Sequence, residues 1–596
     1  MTYRAPVKDF MFGLKELAGL EQLTQIPAFA DHGLDTAQAV LDECAKFNEN
    51  VVAPLNWEGD KNPSWFKDGV VTTTPGFKDA FRQLGEGGWQ GLQHPEEFGG
   101  QGLPKAIGAA CIEMINSANL SFALCPLLTD GAIEALLTAG TDEQKATYLT
   151  PMVEGRWTGT MNLTEPQAGS DLAAVRTKAE PQPDGTYKIF GTKIFITYGE
   201  HDMAENIVHL VLARVVGAPE GVKGISLFIV PKFMVNADGS LGERNDAHCV
   251  SIEHKMGIKA SPTAVLQFGD HGGAVGYLVG QENRGLEYMF IMMNAARFAV
   301  GVQGIAVAER AYQKAVQYAR DRVQSRPVDG STPGAAAIIH HADVRRMLMT
   351  MRAYTEGCRS LALVAGAAYD AAHHHPDADT RKVNQTFYEF MVPLVKGYST
   401  EMSLEVTSLG VQVHGGMGFI EETGAAQYYR DAKILTIYEG TTAIQANDLV
   451  GRKTGRDGGQ TAKALAGQIE QTEVLLAARD SVAAQSFAKN LTAARLAFLD
   501  AVDFIAANGR SNPNAAYAGS VPYLMLTGNL MAGWQMGRAL LAAQDCINEG
   551  EDVAFMQAKV TTAQFYAEHI LVKVPGLRDA IVAGADSVCA MALDAF

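Results

Sequence analysis

Residues 186–231 read TYKIFGTKIFITYGEHDMAENIVHLVLARVVGAPEGVKGISLFIVP. These are three short runs of β-branched and aromatic residues separated by Gly, Pro and Asp turns, the pattern of strands. Similar runs follow at residues 248–252 and 263–268. The intervals are too short for repeated crossover helices, so the strands must pair antiparallel or in a mixed sheet. This island, assigned to residues 159–284, interrupts a chain that otherwise has the spacing of helices, and that contrast decides the fold class.

Upstream, residues 28–54 read as one helix, with Leu34, Ala37, Leu41 and Cys44 near helical spacing. PLNWEGDKNPSW and HPEEFGGQGLP are loop-like, and AIGAACIEMINSANLSFALCPLLTDGAIEALLTAG reads as two packed helices. Residues 1–158 are therefore an N-terminal extension and a helical domain. Downstream, helical patterns at 286–326, 335–370 and 379–408 suit a bundle within 285–452. Gly301, Gly304 and Gly366 allow close helix packing there. A basic, Gly-rich linker, GRKTGRDGGQ, then leads to helices near 461–490, 491–507, 521–548 and 552–573, an additional helical domain within 453–596. The fold class expected is α+β, mostly helical.

The 596 residues exceed what one growing core accommodates. A formal net charge of -17 disfavours nucleic acid, which needs a basic stripe. Seven scattered cysteines without CxxC spacing read as free thiols in a reducing compartment. The start, MTYRAPVKDFMFGLKEL, lacks the long apolar stretch of a secretion signal. No stretch is expected to span a membrane; the run after Glu287 is broken by Arg297 and reads as a buried helix. The expected location is cytoplasmic.

Four patterns carry chemistry, each with a plain alternative. MNLTEPQAGSDLAAVRTKA places Thr164, Glu165, Pro166, Gly169, Ser170 and Asp171 close together. Its hydroxyls and exposed amides can wrap a ring edge and a pyrophosphate, or simply form a polar turn. In GTKIFITYGE, the period of two puts Phe195 and Thr197 on one strand face, suited to a planar cofactor or to an ordinary half-buried strand. Arg297, Arg322, Arg326 and Arg430 offer forks for a diphosphate or for ion pairs. ILTIYEGTTAIQ sets Glu439 between an apolar run and Gly440, with Thr441 and Thr442 able to cap the next helix. A carboxylate so placed can be a general base beside an acidic C–H, or a helix-junction glutamate. There is no GxGxxG after a first strand and no P-loop; HGGMGF follows a helix. The histidines at 340–341 and 373–375 lack HExxH spacing, so no metal site is expected.

Together LTEPQAGSD, KMGIKASPT, GYLVGQENRGL, the Arg297–Arg322 helix, QVHGGMGF and RDAKILTIYEGTTAIQ resemble, in order, the acyl-CoA dehydrogenase family of flavoproteins over roughly residues 38–452. The resemblance implies a helical N-terminal domain, a middle β-barrel domain and a C-terminal four-helix bundle. It implies FAD as cofactor, an acyl-CoA substrate and an electron-transfer flavoprotein as acceptor. Glu439 would be the catalytic base, taking the acyl α-proton while the β-hydrogen leaves as hydride and a trans-2-enoyl-CoA forms. The Glu439 backbone N–H and a flavin ribityl hydroxyl would polarise the thioester carbonyl. Arg297 would support the base of the active site. Met161, Thr164, Phe195 and Thr197 would face the flavin, Gly169 and Ser170 its pyrophosphate, and Thr441 the cofactor from beside the base. Arg322, Gln412, Gly415 and Gly416 would reach the dinucleotide of a neighbouring subunit.

Phe195 stands where many members carry tryptophan, Met161 where many carry tyrosine, and Ser325-Arg326 where Phe-Gly is common. The N-terminal extension and the helices after Gly451 resemble a long bacterial branch of the family. That branch includes enzymes acting on 3-(methylthio)propanoyl-CoA in dimethylsulfoniopropionate degradation and others acting on straight short, medium or long acyl chains. A large C-terminal region can cover the face through which dimers would pair, which implies a homodimer. An acyl-CoA oxidase, a flavin monooxygenase relative and a non-catalytic helical scaffold are the alternatives.

Overall fold

The computed structural model describes residues 3–596. The helix expected over 28–54 is broken in three. Pro27 opens a short 3₁₀ turn, extended Gly33 precedes Leu34–Phe47, and a wide π turn, Asn48–Val52, leads to Leu55–Lys61. Pro54, read as a loop marker, starts that last helix, because its missing N–H is no loss at a helix N-terminus. The long apolar run does form two helices, Lys105–Ala118 and Leu120–Ala139. Extended Asn119 separates them, and its side chain accepts a hydrogen bond from Phe122 N at 3.1 Å.

The middle region is a mixed β structure. Tyr187–Thr197 pairs antiparallel with Ala274–Val279, which pairs with Ile225–Pro231, which pairs with Asn206–Val215. Lys178–Pro181 pairs with both Asn206–Val215 and Tyr187–Thr197, closing those five strands into a barrel. Trp157–Asn162 adds a parallel strand beside Asn206–Val215, and Thr263–Phe268 and Ala247–Ile252 extend the other end. One strand serves both barrel and extension because it bends at Gly191, where φ is +154° and a Cβ would lie 2.4 Å from Thr177 Oγ1.

Beyond the sheet, Gly285–Asp321 packs with Ala342–His374 and with Ala378–Pro393, which runs through a π turn, Leu394–Tyr398, into Ser399–His414. Gly301 and Gly304 permit the close approach of that last segment: a Cβ would lie 2.2 Å from Val395 O and 2.9 Å from Ser399 O. Among the described residues two helices, Leu120–Ala139 and Gly285–Asp321, are long and apolar enough to cross a membrane, contrary to the expectation that no stretch is. They are core helices, with 83% and 67% of their apolar windows buried inside the fold.

The Gly-rich segment after residue 451 is no free linker. The helical path continues through Gly455, and Thr454 is buried with its hydroxyl 2.9 Å from Tyr523 Oη. The C-terminal helices Gln460–Ala477, Val482–Asn508, Ser520–Glu549 and Val553–His569 share one continuous apolar core with the N-terminal segment and the bundle; Phe10, Tyr398, Leu524 and Tyr566 all belong to it. Charge crosses the same seam. Arg359 pairs with Glu113 and Glu309 at 2.5 and 2.8 Å, and Lys559 pairs with Glu356 at 3.0 Å and with Asp9. All seven cysteines are free.

Candidate active site

Glu439 lies on a strained turn. After the helix Ala425–Lys433 and a 3₁₀ turn, Glu439 takes φ +55° and Gly440 φ +87° before Thr441 caps the helix Thr442–Asp448. Holding a non-glycine residue in the left-handed region costs about 1–3 kcal/mol and persists only where the surroundings fix it. Here they do. Lys396, fully buried in the π turn, donates from Nζ to Leu435 O at 2.8 Å and to Gly440 O at 2.7 Å. Thr442 Oγ1 donates to Glu401 at 2.5 Å, and Gln445 Nε2 to Glu439 O at 3.4 Å.

Burial pushes the Glu439 carboxyl up to about 7, while the cations of Lys396 and Arg297 pull it back. That is a value at which a carboxylate is a useful base near neutrality. Arg297 sits on Gly285–Asp321 with a buried Nε that has no hydrogen-bond partner. Tyr438, next to Glu439, donates its hydroxyl to Gln303 Oε1 at 2.5 Å, and Gln303 Nε2 reaches Asn116 Oδ1 at 2.9 Å. Asn116 lines a cavity of about 890 Å³ whose walls include Ile112, Ile115, Ala123, Leu127 and Ala299, with Gln90, His94, Lys105, Asp130 and Glu134 also facing it.

A second group of residues surrounds an open surface at the edge of the sheet. Met161 packs with Leu127, Leu128, Ala296 and Ala299, which places its strand against the helix carrying Arg297. Thr164 O accepts from Ile194 N at 2.9 Å, tying the TEPQAGSD loop to the strand of Phe195. Phe195 is 59% exposed at φ +60°, and Thr197 pairs with Thr263. The register shifts between Ala264 and Leu266 against this strand, so a bulge interrupts the strict alternation that put Phe195 and Thr197 on one face. Gly169 and Ser170 are exposed, and a Cβ on Gly169 would meet nothing within 4 Å. An uncovered aromatic ring beside half-buried hydroxyls, an open glycine loop and a guanidinium with an unused N–H fit a planar ring carrying a diphosphate.

Glu165 holds this loop. Its carboxylate accepts from Lys193 Nζ at 2.8 Å, Arg176 N at 2.7 Å and Thr177 N at 3.0 Å. Burial works against the charge, but Lys193 and these donors hold the Glu165 carboxyl down to about 2.

The remaining site residues are elsewhere. Arg322 ends the Gly285–Asp321 helix, roughly 38 Å along it from Arg297 at 1.5 Å per residue. Gln412, Gly415 and Gly416 end the neighbouring helix, exposed, and the Tyr318 and His414 rings, 4.3 Å apart, join the two ends. One chain thus carries two separate clusters. Arg430, a diphosphate candidate in sequence, is committed instead to a forked pair with Asp60 at 2.9 and 2.6 Å and to Glu421 at 2.8 Å. Arg326 is held by Thr332 O at 3.0 Å. Thr441 has its hydroxyl engaged as the helix cap, accepting from Ile444 N at 3.3 Å. Sequence reasoning missed Lys396, Gln303 and Asn116; the one available signal was a lone lysine in the apolar run FMVPLVKGY.

Comparison with known proteins identifies the family. Residues 35–156 match the acyl-CoA dehydrogenase N-terminal domain, 160–271 the middle domain and 283–453 the C-terminal domain. Residues 465–592 match an acetyl-CoA dehydrogenase C-terminal-like domain. The chain belongs to the acyl-CoA dehydrogenase family and is an FAD-dependent oxidoreductase of acyl-CoA thioesters. It is 55% identical to 3-methylmercaptopropionyl-CoA dehydrogenase of Ruegeria pomeroyi, with 100% of both chains covered. It is 39% identical to a broad-specificity linear acyl-CoA dehydrogenase of Mycobacterium tuberculosis over 97% of each chain. Among solved structures, the fold matches an acyl-CoA dehydrogenase from Bacillus anthracis, with a TM-score of 0.73 at 23% identity over 93% of this chain and 89% of that one.

Proposed function

We propose that this enzyme desaturates 3-(methylthio)propanoyl-CoA to 3-(methylthio)acryloyl-CoA in dimethylsulfoniopropionate degradation, with Glu439 as the catalytic base. The observation that carries the site assignment is the left-handed Glu439 turn, which holds a carboxylate near pKa 7 between Lys396 and Arg297. The substrate assignment is supported by the full-length 55% likeness to the Ruegeria enzyme.

The Glu439 carboxylate takes the proton on the α-carbon. Charge then develops on the thioester oxygen, and the Glu439 backbone N–H stabilises it. FAD, when bound, supplies the acceptor for the hydride that leaves the β-carbon. Met161, Thr164, Phe195, Thr197, Gly169, Ser170 and Thr441 hold the ring and pyrophosphate end. Arg322, Gln412, Gly415 and Gly416 serve the dinucleotide bound to a second copy, so the functional unit is a homodimer. Arg297 supports the site beside the base. Electrons pass on to an electron-transfer flavoprotein, and the enzyme acts in the cytoplasm.

One observation favours a second reading. A cavity of about 890 Å³ is far larger than a methylthioethyl tail needs and stands near the upper end of ordinary ligand pockets. A longer straight acyl chain is the reading that the 39% likeness to the broad-specificity linear acyl-CoA dehydrogenase also supports.

Anaerobic mixing of the holoenzyme with methylthiopropanoyl-CoA, butanoyl-CoA, octanoyl-CoA and palmitoyl-CoA separates the two readings by the rate of flavin bleaching. Fastest bleaching by the first supports the proposed substrate; a clear preference for a longer chain replaces it. Glu439→Gln should nearly abolish bleaching with FAD still bound, and near wild-type bleaching would refute the base.

A further inference from the structure

We infer that Lys396 is the positioning residue of the base: its ammonium clamps both ends of the Glu439 turn and supplies the positive charge against which the carboxylate ionises. This rests on the assignment of Glu439 as base.

The placement of Lys396 is built, not incidental. Pro393 has no N–H to give the helix ladder, and the chain passes into a single π turn, Leu394–Tyr398, that re-aims the following side chains. Lys396 thereby points away from solvent, at 0% exposure, and spans from the carbonyl of Leu435, before the turn, to that of Gly440, after it. The wall behind is fixed by close backbone approach. A Cβ on Gly397 would lie 2.8 Å from Leu524 Cδ2 and 3.0 Å from Gln445 Cβ, and Gly301 abuts Val395 O. Tyr398 completes the brace, donating to Asn529 Oδ1 at 2.7 Å. The C-terminal helices therefore form the back wall of the turn that carries Lys396.

Two N–H donors alone would hold the two carbonyls. A neutral side chain would do so without the desolvation cost of a buried ammonium, so what lysine adds is charge. The charged groups around it are few. Glu439, Arg297 and Glu401 face Lys396; Lys396 and Arg297 face Glu439; Asp448 and Arg452 face Arg297. Burial lowers the Lys396 ammonium to about 8, which leaves it charged at neutral pH. Glu439 is the one acid in the stretch of chain between the clamped carbonyls of Leu435 and Gly440. A neighbouring opposite charge favours the ionised base by about 1–3 pKa units, and Lys396 is the larger of the two cationic influences on Glu439.

The test is the pH profile of anaerobic flavin bleaching by butanoyl-CoA in the FAD-loaded enzyme. In Lys396→Gln and Lys396→Met the ascending limb should move up by about one unit or more, so that bleaching at pH 7 falls about fivefold or more and recovers at pH 9. Lys396→Arg keeps the charge and should keep the limb at its wild-type position. A limb that stays in place in the Gln and Met variants, whether the rate falls evenly or not at all, overturns the inference. Should either neutral variant lose FAD, the other and the Arg variant carry the comparison. If instead Glu439→Gln still bleaches, the base assignment has failed, whatever Lys396 does.

Discussion

Tyr438 donates its hydroxyl to Gln303 Oε1 at 2.5 Å, and this bond joins the Glu439 turn to the long helix beneath it. Through Gln303 and Asn116 the link continues to the cavity wall. Gln303 is 0% exposed, so removing the phenol leaves a buried carbonyl oxygen without a donor, a loss of about 1–3 kcal/mol. Tyr438→Phe should lower the melting temperature by a few degrees and slow bleaching while retaining FAD. Unchanged melting would show that Gln303 finds another donor.

Glu439 also ties stability to pH. Burial raises its folded-state pKa from 4.5 to about 7, so the folded protein holds a proton that the unfolded chain releases. The stabilisation from that proton is complete below about 4.5 and is lost as pH rises through 7. Glu439→Gln should therefore be more stable than wild type at pH 8, by on the order of 1–3 kcal/mol, and equal to it at pH 4. Denaturant unfolding at the two pH values is the measurement, and equal stabilities at pH 8 would exclude an ionised, desolvated Glu439.

Much of this arrangement was legible in sequence, for identifiable reasons. The strands of residues 186–231 announced themselves by period and turn residues, and Glu439 by being the one acid in an apolar segment next to Gly440. What escaped was whatever depends on the meeting of distant segments. Gly257 and Asp431 belong to two motifs read separately. They are in fact one joint: Ile258 N donates to Asp431 at 2.5 Å, and a Cβ on Gly257 would meet the Arg430 backbone at 2.5 Å. Lys396 gave only a weak signal, since nothing local shows that a π turn will aim it inward. Arg430 stayed open between a diphosphate and an ion pair because its partner, Asp60, is 370 positions away. The linker after residue 451 was misread because glycine content reports local freedom, whereas Thr454 is pinned by Tyr523.

The loop that carries Thr164, Gly169 and Ser170 depends on Glu165 and Lys193. Lys193 is 0% exposed and bonds both Glu165 and Leu163 O at 2.9 Å, so Lys193→Met leaves a buried carboxylate without its cation at a cost of about 3–5 kcal/mol. The expected result is weaker FAD retention on gel filtration together with a lowered melting temperature. Because the Glu165 carboxyl is held near 2, its contribution to stability is present above about 4.5 and disappears as pH falls towards 2. A variant that keeps FAD as tightly as wild type would show that the loop is ordered by other contacts.

The C-terminal helices should matter to the chemistry through one close contact. A Cβ on Gly528 would lie 2.2 Å from Tyr398 Cγ, and neither the ring nor the backbone has room to yield: Tyr398 is fully buried and bonded to Asn529 and Tyr566. Gly528→Ala therefore overpacks the brace behind Lys396, which costs about 1–3 kcal/mol and displaces the π turn. Stability and bleaching rate should fall together, although Gly528 lies 89 positions beyond Glu439 in sequence. Val474→Ala, on the same C-terminal region but 64% exposed, should change neither. A Gly528→Ala enzyme that loses stability but bleaches at the wild-type rate would show that the brace supports the fold without reaching the base.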